Sequence, residues 1–176
     1  MHFPFQKTIC YFFRSRVTYK ADGWVFSEIR KCMYLCEDWE HHYLPIDVKG
    51  LTVLDVGAGE GETARFFLDH GAKKVICIES DDFHYSLLAK NAVGRPMECA
   101  HKMFALSDLD RDYDFIKMDI EGAEKSLLLL PAKVKKPIAM EVHGYDLALK
   151  LEKLGYRLEM IEDNDVKKNG WLCYAY

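Results

Sequence analysis

Residues 51–71 read LTVLDVGAGEGETARFFLDHG: an apolar run of strand length, three alternating glycines, then an amphipathic helix. Ala64, Phe67 and Leu68 share one helical face, and Gly71 is placed to end the helix. The strand reads as a buried one. The pattern then repeats along the chain. KKVICIE predicts a second strand, and DDFHYSLLAKNA a second helix that Asp81 or Asp82 can cap. MECAHKMFALSD holds a third strand with loosely set ends, YDFIKMD a fourth, and EGAEKSLLLL a helix that Pro131 helps to stop. KPIAMEVHG is a fifth strand, followed by a helix with Leu147, Ala148, Leu151 and Leu154 on one face. Strands in YRLEMIE and WLCYAY close the chain, joined by the turn-rich DNDVKKNG. Alternating strands and helices specify an α/β fold with a doubly wound, mostly parallel sheet. The last two strands are separated by only about eight residues, too few for a crossover, so the final strand must pair antiparallel.

With 176 residues the chain suits one domain preceded by an N-terminal extension. We read 1–50 as that extension and 51–176 as the domain. In the extension a helix is expected near 24–42, since Phe26, Ile29, Met33, Cys36 and Tyr43 approximate one face. It would pack on the domain edge or, as the lesser alternative, cover a cleft. The extension is also basic: residues 1–31 carry Lys7, Arg14, Arg16, Lys20, Arg30 and Lys31 against Asp22 and Glu28. That surplus of four against a net charge of −4 for the whole chain leaves about −8 on the remainder, and an acidic body argues against a nucleic-acid surface spanning the whole domain. No apolar run is long enough to span a membrane, and the greasy start is broken by Gln6 and Lys7, unlike a secretory leader. Cysteines are scattered with no CxxC pair, so reduced thiols in a cytoplasmic protein are expected and a zinc site is not.

Three features of the glycine loop sort its ligands. A dinucleotide loop needs G-x-G-x-x-G, whereas the third glycine here comes one position early, at Gly61. Glu60 and Glu62 stand at the helix start, where they complement the helix dipole and would repel a pyrophosphate. No Lys or Arg lies in the loop, which excludes a P-loop. The ligand should therefore not be an anion. S-adenosylmethionine fits, with a positive sulfonium, a positive amino group and one carboxylate. Glu79 ends the second strand about 20 residues on, where an acid can accept the ribose hydroxyls. Ser80, Asp81 and Asp82 follow it, and their charge disfavours a 2′-phosphate.

LDVGAGEGETARFFLDHGAKKVICIES resembles the first two motifs of Rossmann-like S-adenosylmethionine-dependent methyltransferases. DYDFIKMDIEGAEKSLLL with KPIAMEVHG resembles the FkbM-like family, whose mark is the segment Asp119-Ile120-Glu121-Gly122-Ala123-Glu124. The resemblance runs over about residues 51–143. It implies a seven-stranded sheet and methyl transfer, commonly to oxygen, with S-adenosylhomocysteine as the product. It places Asp55, Gly57, Ala58, Gly59 and Gly61 around the methionine part, Glu79 and Ser80 at the ribose, and Ser107 and Asp108 near adenine. Asp119 would end the fourth strand beside the methyl group. Ser80 stands where the family usually has Pro, and the extension matches no family segment.

An alcohol acceptor must lose a proton, and a base contributes about 10²–10⁴-fold. His143 is the first candidate because histidine titrates near neutrality; Asp119 is the second. Glu121, Glu141 and His143 are candidate acceptor-binding residues at the carboxyl ends of strands, where ligands of parallel sheets sit. His143 can equally be a hydrogen-bonded structural residue, and Glu121 and Glu124 can serve the following helix start. Mg²⁺ held by Asp119, Glu121 and Glu141 is the minor alternative, with no metal site in the main reading. His41 and His42 read best as surface residues. Lys117 lies inside a strand, so its amine either snorkels to an edge or pairs with an acid. The acceptor expected is a small molecule or sugar hydroxyl. Methylation of RNA through the basic arm, and a non-catalytic cofactor-binding protein, are the competing readings.

Overall fold

The computed structural model describes residues 18–27, 39, 43, 46–156, 158–161 and 170–175. The arm at 1–17, most of the expected helix near 24–42, and His41 and His42 lie outside the described residues. So do the side chains of His143 and of residues 157–176.

The first described elements correct the start of the expected helix. Thr18–Ala21 (β1) and Trp24–Ser27 (β2) form an antiparallel two-stranded sheet, with Ala21 paired to Trp24. The turn between them is Asp22-Gly23, with φ of 53° and 78°. Two consecutive positive φ angles make the twist that joins neighbouring antiparallel strands, and Asp-Gly is a favoured pair for it. Phe26 is thus a buried strand residue. Trp39 and Tyr43 are helical, and both are buried against Phe66.

The main sheet is built from Thr52–Val56 (β3), Lys74–Glu79 (β4), Met97–His101 (β5), Phe115–Met118 (β6), Ile138–His143 (β7), Leu158–Ile161 (β8) and Gly170–Ala175 (β9). Its order is β5-β4-β3-β6-β7-β9-β8. The first five strands run parallel, and β9 pairs antiparallel with both β7 and β8. The α-helices are Glu62–Asp69 (α1), Asp82–Ala92 (α2) and Tyr145–Lys153 (α3). Asp81 caps α2, its carboxylate accepting the Phe83 and His84 amides at 2.9 and 3.0 Å. The segments 106–110 and 123–129 are 3₁₀ turns, so the expected helix over EGAEKSLLLL forms in the tighter geometry.

Alternation along the strands sends residues to two cores. Leu54, Val56, Ile76, Ile78, Ile116 and Met118 pack with Leu147 and Leu151 of α3. On the opposite face Val53, Val75, Cys77 and Phe115 pack with Ala64 and Phe67 of α1 and Leu88 of α2. That second face also carries Trp39, Tyr43 and Val48, so described parts of the extension share the domain core.

Asn91 fastens the β1–β2 hairpin to α2. Its Oδ1 accepts the Val25 amide at 2.7 Å, and its Nδ2 donates to Val25 O at 2.8 Å and Glu60 O at 2.7 Å. The residue is fully buried. Asn91→Ala strands three backbone groups, so a loss of about 2–4 kcal/mol is expected. Urea denaturation checks this; a loss well under about 1 kcal/mol would show that water replaces the amide.

Candidate functional site

The glycine loop lies at the carboxyl end of β3 and leads into α1. Gly57, Gly59 and Gly61 have φ of 76°, 56° and 95°, where a side chain is strained. Gly57 is also crowded: a Cβ there would lie 1.8 Å from the Asp119 carbonyl oxygen, at the end of β6. The Gly57 and Ala58 amides both donate to Ile78 O, at 2.9 and 3.1 Å, which fastens the loop to β4.

The loop carboxylates are spent inside the protein. Glu60 is fully buried, and its two oxygens accept the amide and the hydroxyl of Ser27, each at 2.6 Å. Burial pushes the Glu60 carboxyl up, and the Ser27 bonds act against that. Glu62 accepts the Glu60 amide at 2.8 Å. The two acids still place negative charge around the helix start, as expected, but each is committed to a protein donor.

Asp55 is fully buried on the α1 side of β3 and accepts the Thr63 hydroxyl at 2.6 Å. Directly across on β6 stands Lys117, its register partner, with Nζ 3.3 Å from Asp55 Oδ1. The same Nζ donates to Gly57 O at 2.7 Å. Burial alone would lower the Lys117 pKa, but Asp55, then Asp119 and Glu62, outweigh it and hold the ammonium above its ordinary value. Of the two alternatives for Lys117, pairing with an acid is the one realised.

Glu79 ends β4 beside the loop. Its Oε2 accepts the Gly59 amide at 2.8 Å, and its Oε1 accepts the amides of Ser80 and Asp81 at 2.8 and 2.7 Å. One carboxylate thereby links the glycine loop to the start of α2. Asp119 follows β6, and its buried Oδ1 has no hydrogen-bond partner among the described residues. Met118 pairs with Met140, so Asp119 and Glu141 follow one another on adjacent strands. Glu141 is half-buried, and His143 closes β7.

Other expected residues stand differently. Ser107 is exposed in the turn after β5. Asp108 is buried, and three protein donors already reach its carboxylate: Oδ1 takes Lys102 Nζ at 2.8 Å and Arg111 Nε at 3.3 Å, and Oδ2 takes the Ala105 amide at 2.9 Å. Burial would raise its pKa, but the Lys102 bond, the Ala105 amide and the two cations hold it below the ordinary value. Glu121 is exposed with φ 53°, while Glu124 is buried and accepts the Ile120 amide at 3.0 Å, serving the turn that follows. Among the described residues no group of three or more His, Cys, Asp or Glu is gathered as metal ligands. No helix among them is long and apolar enough to cross a membrane.

No family model matches the chain. A curated relative, uncharacterized protein 158B of Sulfolobus islandicus rod-shaped virus 1, is 27% identical over 124 residues, 68% of this chain and 77% of that protein. Among solved structures, a ribosomal protein L11 methylase from Lactobacillus delbrueckii subsp. bulgaricus superposes with a TM-score of 0.58 and 22% identity. That match covers 76% of this chain and 73% of the methylase. Fibrillarin of Aeropyrum pernix, solved with natively bound S-adenosyl-L-methionine, gives 0.60 at 14% identity over 74% of this chain and 69% of fibrillarin. The chain has the α/β fold of S-adenosylmethionine-dependent methyltransferases, with a mostly parallel sheet.

Proposed function

We propose that this protein is an S-adenosylmethionine-dependent methyltransferase of FkbM-like type that methylates a hydroxyl of a small molecule or sugar. The observation that carries the reading is Glu79, whose carboxylate joins the end of β4 to the Gly59 amide at the mouth of the sheet. Ligands of parallel sheets sit at that place, and an acid there suits a ribose. The surroundings fit a cationic nucleoside: no Lys or Arg belongs to the loop itself, and Lys117 lies beneath it, paired with Asp55. The finer fold assignment belongs to the same proposal, with the seven-strand order and antiparallel β9 taken as the arrangement of that family.

In this reading Gly57, Ala58, Gly59 and Gly61 border the methionine part with the buried Asp55 beneath them, Glu79 with Ser80 holds the ribose, and Ser107 and Asp108 lie near adenine. S-adenosylmethionine supplies an electrophilic methyl group on sulfur. The residues of the chain position the acceptor oxygen and take its proton, with positioning worth roughly 7–11 kcal/mol of a barrier. Asp119 and His143, at the ends of β6 and β7, are the proposed bases, and Glu121 and Glu141 the proposed acceptor contacts. Titration calorimetry with S-adenosylmethionine and S-adenosylhomocysteine tests the reading. Binding of both is expected, and no heat at millimolar ligand would reject it.

A further inference from the structure

We infer that Lys117 is a positioning residue: its ammonium fixes the Gly57 carbonyl and thereby sets the glycine loop for its ligand. The inference rests on the S-adenosylmethionine reading of that loop. Gly57 is held on every side that matters. Its amide donates to Ile78 O at 2.9 Å, its carbonyl accepts from Lys117 Nζ at 2.7 Å, and its Cα lies against the Asp119 carbonyl. With both polar groups of Gly57 engaged, the first turn of the loop cannot rotate without breaking one of them. Lys117 reaches Gly57 from the neighbouring strand, so the bond ties the loop to β6, just as the Ile78 bonds tie it to β4.

A buried ammonium is costly, and an apolar side chain of similar length would fill the same space at less expense. Asp55 opposite Lys117 offsets that cost and leaves the cation free to donate to Gly57. The pair is shut away from solvent, with Lys117 at 2% and Asp55 at 0% exposure, so it touches no acceptor directly. Its effect must pass through the loop.

Two variants test this in the full chain. Lys117→Met removes the donor but leaves Asp55 unpaired, which can unfold the protein. The double variant Asp55→Asn/Lys117→Met removes both charges, an exchange that buried ion pairs often tolerate without loss of stability. Calorimetry with S-adenosylmethionine and S-adenosylhomocysteine, alongside thermal melting, is the readout. The double variant is expected to melt near wild type yet bind both ligands at least about tenfold more weakly, by the same factor for each. Wild-type affinity in the folded double variant overturns the inference, because stability alone would then have been the role of the pair. Hydrogen exchange at the Ala58 and Gly59 amides, without ligand, separates the two readings. Exchange at least about tenfold faster in the double variant supports a positioning role even if wild type binds neither ligand, an outcome that rejects the methyltransferase reading instead. Unchanged exchange overturns the Lys117 inference by itself.

Discussion

Gly57→Ala is expected to destabilise the protein by about 2–5 kcal/mol and to abolish measurable cofactor binding. Two costs combine. A left-handed backbone conformation costs a residue with a Cβ about 1–2 kcal/mol, and Gly57 has φ 76°. The added carbon would also meet the Asp119 carbonyl oxygen at 1.8 Å and its carbon at 2.9 Å. Those atoms are backbone, at the end of a central strand, so they cannot rotate away. Forcing such an overlap costs about a further 1–3 kcal/mol, and relief comes only by parting the loop from β6. Gly50 supplies the control. Its φ is also 76°, but a Cβ there meets nothing within 4 Å. Gly50→Ala should therefore cost only the conformational part, about 1–2 kcal/mol. Equal losses for the two variants, measured by urea denaturation, would mean that β6 yields and that the crowding is not rigid.

The loop was readable before the structure because its signals are local. An apolar strand, glycines at alternate positions and an amphipathic helix follow within 21 residues, 51–71, and each element reports its own geometry. The Asp81 cap was readable for the same reason, since donor and acceptor lie within three residues. The hairpin was a different case. Asp22-Gly23 is the pair that favours a tight hairpin turn, but Phe26 and the residues after it also fit a helical period, so two local patterns compete over one stretch.

Side-chain partners were the least readable part. Glu60 could be seen at the helix start, but its partner Ser27 is 33 residues away on a hairpin whose docking no local pattern encodes. Lys117 announced itself as a charge inside a strand; that it meets Asp55 depends on the register of β3 against β6. Asp108 shows the same limit in the other direction. A polar residue after the third strand reads as a neighbour of adenine, but the spacing does not reveal that Lys102 and Arg111 already share one of its oxygens. Sequence spacing places a carboxylate near a cleft without saying whether the protein has already used it.

Glu79 is where that distinction matters most, because its carboxylate is already bonded to the protein and is also assigned to the ribose. Ionised, it offers about four acceptor sites, and the amides of Gly59, Ser80 and Asp81 occupy three. About one site remains for a hydroxyl. Glu79→Ala removes all of these, and with hydrogen bonds to a charge worth about 1.5–3 kcal/mol each, affinity for S-adenosylmethionine should fall by at least about a hundredfold. Glu79→Gln should rescue little, because its NH₂ would face either the Gly59 amide or the Ser80 and Asp81 amides, donor against donor. A loss of affinity alone does not tell a ribose contact from a loop support. A ligand lacking the ribose 2′-hydroxyl does, in a cycle with the protein variant. If Glu79 receives that hydroxyl, wild type discriminates against the 2′-deoxy ligand by about tenfold or more while Glu79→Ala binds both ligands alike. If Glu79 only braces the loop, the variant keeps the full discrimination, and the ribose must find its acceptor elsewhere at the end of β4.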